Sequence, residues 1–148
     1  MYFFVPYQLT GIQQGIQCGH AVEQYAHNYK DDPEYIEYVK YNRTWIVLNG
    51  GTTNSDPNYF GSLNQILIDL RSNKIKHGYF HEPDLNNALT AVCFLCDERV
   101  FDYEKYPDYE NLLNEEEFSN TNYDEWLELM GGDETLFLRE IIRGKRLA

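Results

Sequence analysis

The residues best placed to do chemistry lie in one run, Gly11-Ile-Gln-Gln-Gly-Ile-Gln-Cys-Gly-His20-Ala-Val. At 3.6 residues per turn, Gln13, Gln17, His20, Gln24 and His27 form one stripe of a helix, opposite Cys18, Val22, Tyr25 and Tyr29 with Ala21 and Ala26 beside them. Amides and imidazoles offer donors and acceptors without fixed charge, which suits a neutral or mixed polar ligand. A solvated face is more often built from Lys and Glu. The plain alternative is a surface that happens to lack lysine.

Other constellations carry less. Cys93 and Cys96 have redox or zinc spacing, but strand residues three apart point to opposite faces. His20 and His27 are seven apart, roughly 10 Å along a helix axis, too far to share one metal without further ligands, and no metal site is assigned. His77 and His81 read as surface or satisfied histidines. The loop Gly50-Gly-Thr-Thr-Asn-Ser55 follows a strand and could cradle a phosphate with backbone N–H groups, yet it lacks the lysine and spacing of a P-loop, so a plain turn competes. No Gly-x-Ser-x-Gly or Ser-His-Asp arrangement is present.

The elements that must position these groups follow from the pattern. Tyr2–Tyr7 reads as a buried strand, and Thr10 with Gln13 has capping-box spacing for a helix starting near Gly11. A second helix carries Tyr35, Ile36 and Val39 to about Asn42; Thr44–Leu48 follows as a strand closed by Asn49-Gly-Gly51. Ser62 and Gln65 predict a cap for a third helix through Leu63, Ile66, Leu67 and Leu70 to about Asn73. Tyr79–His81 and Leu89–Leu95 read as strands, joined by an irregular Glu82–Ala88. In the tail, Trp126, Leu127, Leu129 and Met130 should dock, and Asp133 should cap a last helix bearing Leu136, Phe137, Ile141 and Ile142. The expected architecture is a small three-layer α/β sandwich with a mixed sheet of about four strands and helices on both faces.

With 148 residues, 43% of them hydrophobic, and a mean hydropathy of -0.59, one core and a single domain over 1–148 are expected. Three cysteines argue against a disulfide framework, and no apolar run or leader-like start is evident, so a soluble, cytoplasmic protein without membrane contact is expected. The net charge of -12 disfavours polyanions, leaving room for tRNA only at a local basic surface. Asp102–Glu134 alone carries -11. The basic group Arg139, Arg143, Lys145 and Arg146 reads as a complement to a helix dipole.

Gln17-Cys-Gly-His20-Ala21, the order strand, helix, helix, strand, helix, strand, strand, and the pair Glu82-Pro-Asp-Leu and Leu89-Thr90-Ala-Val together resemble the type II peptidyl-tRNA hydrolases over residues 1–101, leaving 102–148 as an acidic, partly helical extension. The resemblance implies a site around an ester carbonyl. If that chemistry survives, His20, Glu82, Asp84 and Thr90 are its catalytic candidates. The family's lysine is matched by Gln13, which cannot supply cationic stabilisation, and the acidic turn is altered to Glu82-Pro83-Asp84. The departures favour a binding module in which Gln13, Gln17, His20, Gln24, Glu82, Asp84, Asn86 and Thr90 hold a small polar or nucleotide-type ligand, with no cofactor assigned. The alternatives are an esterase acting on an RNA-linked amino acid and a protein-interaction domain presenting Tyr25, Tyr29, Tyr35, Tyr38 and Tyr41. Usage rich in Asn, Tyr, Ile and Lys suggests a viral source, hence host cytoplasm and sequestration of a host nucleotide signal. A homodimer through the first two helices or a sheet edge is compatible with the pattern.

Overall fold

The computed structural model describes residues 1–114 and 122–148. Packing divides the chain into two compact units, Met1–Leu95 with Lys145–Ala148, and Cys96–Gly144. The family-like stretch was expected to run to residue 101; the packing boundary falls after Leu95, and four C-terminal residues return to the first unit.

The first unit runs β1 (Tyr2–Pro6), α1 (Gly11–Tyr29), α2 (Pro33–Tyr41), β2 (Ile46–Gly51), α3 (Ser62–Ser72), β3 (Gly78–Glu82) and β4 (Ala88–Phe94). The strands form one mixed sheet of order β2-β1-β4-β3, with β1 and β2 parallel and the other pairs antiparallel. Phe3, Phe4 and Val5 in β1, and Leu89 through Phe94 in β4, are wholly buried, as central strands covered on both faces require. Alternation along β1 sends Phe3 and Val5 to one side, where they pack with Cys18, Ala21 and Tyr25 of α1. Phe4 turns to the other side, beside Leu63 of α3. Sheet and helices thus form the mixed α/β architecture with four strands that the pattern predicts.

Gly78 lets α1 approach β3. A Cβ there would overlap the Ala21 carbonyl oxygen and stand 3.0 Å from Tyr25 Cβ. The outer edge of β2 is closed by the C-terminus, where Asn49 N–H donates to Arg146 O (2.9 Å) and Ala148 N–H donates to Val47 O (2.9 Å).

Several local expectations are corrected. β2 begins at Ile46 and includes Asn49-Gly-Gly51, because those residues pair with Val5 and Pro6. The cap of α3 is Gly61, whose N–H donates to Asn64 Oδ1 (2.9 Å); the Ser62 hydroxyl is drawn away to Gly50 O (2.7 Å). The tyrosine surface is mostly core: Tyr25 and Tyr38 are buried, their rings stack through Tyr29 and Tyr35, and of the five only Tyr41 is well exposed.

The second unit contains α4 (Glu98–Phe101), α5 (Tyr109–Leu112), α6 (Tyr123–Met130) and α7 (Asp133–Ile142). Leu112, Trp126 and Met130 make its core, while Leu129, expected to dock, is 66% exposed because it falls on the opposite side of α6. Gly132, not Asp133, precedes α7, and Asp133 is the first residue of the helix. Glu115–Glu117 of the acidic run lie outside the described residues. Of the basic group, Arg139 stands in the last turn of α7 and Arg143 at its C-cap, where a helix dipole favours cations, and both are also bound to neighbouring groups. Arg139 is buried to 1% exposure, donates to Arg99 O (2.8 Å) and Asp108 Oδ1 (2.7 Å), and lies under the Tyr103 ring, while Arg143 also grips Asp108.

Candidate functional site

Helix α1 starts where the Thr10 hydroxyl accepts from Gln13 N–H (3.3 Å) and the Gln13 side chain returns the bond, its Oε1 accepting from Thr10 N–H (3.0 Å) and the Thr10 hydroxyl (3.1 Å). That bond fixes Gln13 at the mouth of a cavity of about 540 Å³ within the first unit. Its polar wall is Gln8, Gln13, Thr53, Asp84, Asn86 and Thr90. Its apolar wall is Pro6, Leu9, Leu85 and Ala88. A hollow of this size, part apolar with a few converging polar groups, has the make-up of a small-molecule site.

The turn between β3 and β4 supplies one side. Pro83–Leu85 forms a single 3₁₀ turn, capped by Glu82 Oε1 accepting from Asp84 N–H (3.2 Å), and Asn86 and Asn87 both take left-handed backbone, which asparagine tolerates better than most side chains. This reversal leaves Asp84 and Asn86 on the cavity wall. Asn86 Nδ2 donates to Ser55 Oγ (3.3 Å), tying the turn to the loop after β2.

Behind the cavity runs a buried polar chain. The Thr90 hydroxyl, wholly buried, donates to Gln17 Oε1 (2.5 Å), and Gln17 Nε2 donates to Glu82 Oε2 (2.8 Å). The Gln17 amide, and after it the Asp84 N–H, hold the Glu82 carboxyl below its ordinary range, with His20 nearby adding to the lowering. Gln17 therefore belongs to the interior: it is 6% exposed, because β3 comes alongside α1 at that point.

The predicted residues divide accordingly. Gln13, Asp84, Asn86 and Thr90 line the cavity, and Gln17 and Glu82 connect to it through Thr90. His20 and Gln24 lie further along α1. The His20 ring stacks on Phe80 at 4.3 Å, and no hydrogen bond joins it to Glu82 or Asp84. Gln24 Oε1 accepts from Tyr79 N–H (2.7 Å), and His27 is exposed. The stripe read as one recognition face is thus split by β3.

Two polar wall residues, Gln8 and Thr53, are absent from the predicted site. Gln8 follows β1 with no signal of its own. Thr53 sits in the Gly50–Ser55 loop, and its hydroxyl is enclosed with no hydrogen-bond partner among the described residues. In that loop the N–H groups of Gly51, Thr52 and Asn54 are taken up by Asn49, Ser62 and Asn64 side chains at 2.8–3.0 Å, so they do not converge on an open phosphate cradle. Burial pushes the Cys18 and Cys93 thiols up to about 12, so neither is a nucleophile at neutral pH. Among the described residues, no group of three or more His, Cys, Asp or Glu could hold a metal ion, and no helix is long and apolar enough to cross a membrane. Comparison with protein-family models, curated proteins and solved structures finds no match to this chain.

Proposed function

We propose that the first unit is a binding module for a small polar ligand of roughly nucleoside size, held between the start of α1, the loop after β2 and the turn before β4. One observation carries the reading: side chains from all three segments converge on a cavity of about 540 Å³ that is part polar and part apolar. The resemblance to type II peptidyl-tRNA hydrolases supports the same place, since Gln13 and Thr90 stand at its edge.

Ester hydrolysis is supported less well. A general base needs an orienting partner, and His20 rests on Phe80 while Glu82 is engaged by Gln17. The test is thermal unfolding of the full chain with a panel of nucleosides, nucleotides and dinucleotides. At saturation a ligand should add about 1 kcal/mol or more of stability. The gain should shrink in Asn86→Ala. A panel without any stabilising member overturns the binding reading, and peptidyl-tRNA turnover lost in His20→Ala would replace it with the hydrolase.

A further inference from the structure

Resting on the binding reading above, we infer that the cavity takes a donor-rich organic cation, an ammonium or guanidinium carried on a compact apolar or planar body. The commitments of the wall groups lead there. Asp84, as a carboxylate, only accepts. Thr90 spends its proton on Gln17 Oε1 and is wholly buried, so it takes no direct part. Asn86 turns one amide hydrogen to Ser55, which leaves its carbonyl oxygen to accept and its second N–H to donate. Gln13 is the opposing case: its oxygen is engaged by Thr10, so its NH₂ faces outward as a donor. Gln8 brings an amide that serves in either sense, while the Thr53 hydroxyl is enclosed and takes no part. The amides balance donors against acceptors, and the Asp84 carboxylate tips the wall toward a ligand that brings N–H groups.

Charge points the same way. Among the described residues no Lys, Arg or His lines the cavity, and Glu82 and Asp84 lie within one turn beside it. Several neighbouring backbone N–H groups are already taken, four after β2 by side chains and that of Asp84 by Glu82. A phosphate would meet the Asp84 carboxylate with no cationic side chain of the wall to offset it. An ammonium would pair with Asp84 while its carbon body lies on Leu9, Leu85 and Ala88.

The experiment uses the full chain at about 0.15 M salt, where diffuse attraction is screened beyond about 8 Å. Tyramine, agmatine, adenosine and AMP are titrated calorimetrically into wild type, Asp84→Asn and Asp133→Asn, the last removing one acid from α7 in the other unit. At least one of the two cations should bind, and AMP should bind more weakly than adenosine. Asp84→Asn should weaken the cation about tenfold, the scale of one charge-assisted hydrogen bond, and leave adenosine within about twofold. Asp133→Asn should leave every affinity unchanged. The inference is overturned if AMP matches or exceeds adenosine, if Asp84→Asn leaves the cation unaffected, or if Asp133→Asn weakens it equally. Adenosine binding without either cation sinks this inference and keeps the binding reading; no binding by any probe at millimolar concentration sinks both.

Discussion

Thr53→Val should stabilise the protein. The Thr53 hydroxyl is shut off from solvent and finds no partner among the described residues, yet folding strips it of the water it had in the unfolded chain. A stranded hydroxyl of this kind costs about 1–3 kcal/mol. Thr53 as a whole is half-buried, so the lower end, about 1 kcal/mol, applies. Valine keeps the shape, replaces the hydroxyl with methyl and removes that cost. In a domain of about a hundred residues, 1 kcal/mol corresponds to a rise of roughly 4–8 °C in Tm. Urea unfolding followed by hydrogen exchange in β1 and β4 measures the change. A destabilised Thr53→Val would refute the idea that this hydroxyl is stranded by folding.

Gln17→Leu should let the Glu82 carboxyl drift up toward its ordinary 4.5, read by a side-chain NMR titration, and should free the Thr90 proton to turn to Phe80 O, 3.3 Å away. Gln13→Lys should reverse the ligand preference, with AMP now bound more tightly than adenosine in the calorimetric titration. In the second unit, Asp108→Ala strands the buried Arg139 guanidinium and should cost about 3 kcal/mol or more, whereas Arg139→Met leaves Asp108 paired with Arg143 and should cost far less; urea unfolding read by Trp126 fluorescence checks the asymmetry. The Asp108 carboxyl is held below its ordinary 3.8, first by Arg143 and then by Arg139. Its stabilisation is therefore complete above about pH 4 and lost as pH falls through the lower folded value, so acid should loosen the second unit in wild type with a slope that Asp108→Asn flattens.

The fold was legible where period and burial agree. Cys18, Ala21 and Tyr25 repeat at helical spacing and are all core; β1 and β4 read as unbroken apolar runs and are the two central strands. Capping by Thr10 and Gln13 was visible because it is local. Gln17 was not, since on a helical wheel it borders both stripes, and only the arrival of β3 decides that its amide faces inward. Tyr25 and Tyr38 misled for a related reason: a tyrosine counts as surface or core according to whether its hydroxyl finds a partner, and Tyr38 finds the Trp45 indole N–H at 2.8 Å. Arg139 did carry a signal. It occupies the spacing of Thr135, Leu138 and Ile142 on the buried side of α7, and its charge concealed that periodicity.

The character of the cavity comes down to position 13. Half of the chain's acids lie in 102–134, and the rest of the sequence is nearly neutral, so the charge of the cavity wall is read from its own side chains. Asp84 supplies the negative charge there and Gln13 supplies none. A lysine at that position would place an ammonium across the hollow from Asp84, satisfy the carboxylate internally and leave a surplus of donors for an incoming anion. An amide leaves Asp84 without a cationic partner in the wall among the described residues, and on the proposed reading the ligand's own cation takes that place. On that reading, the glutamine at position 13 that speaks against ester chemistry also sets which sign of charge the site accepts.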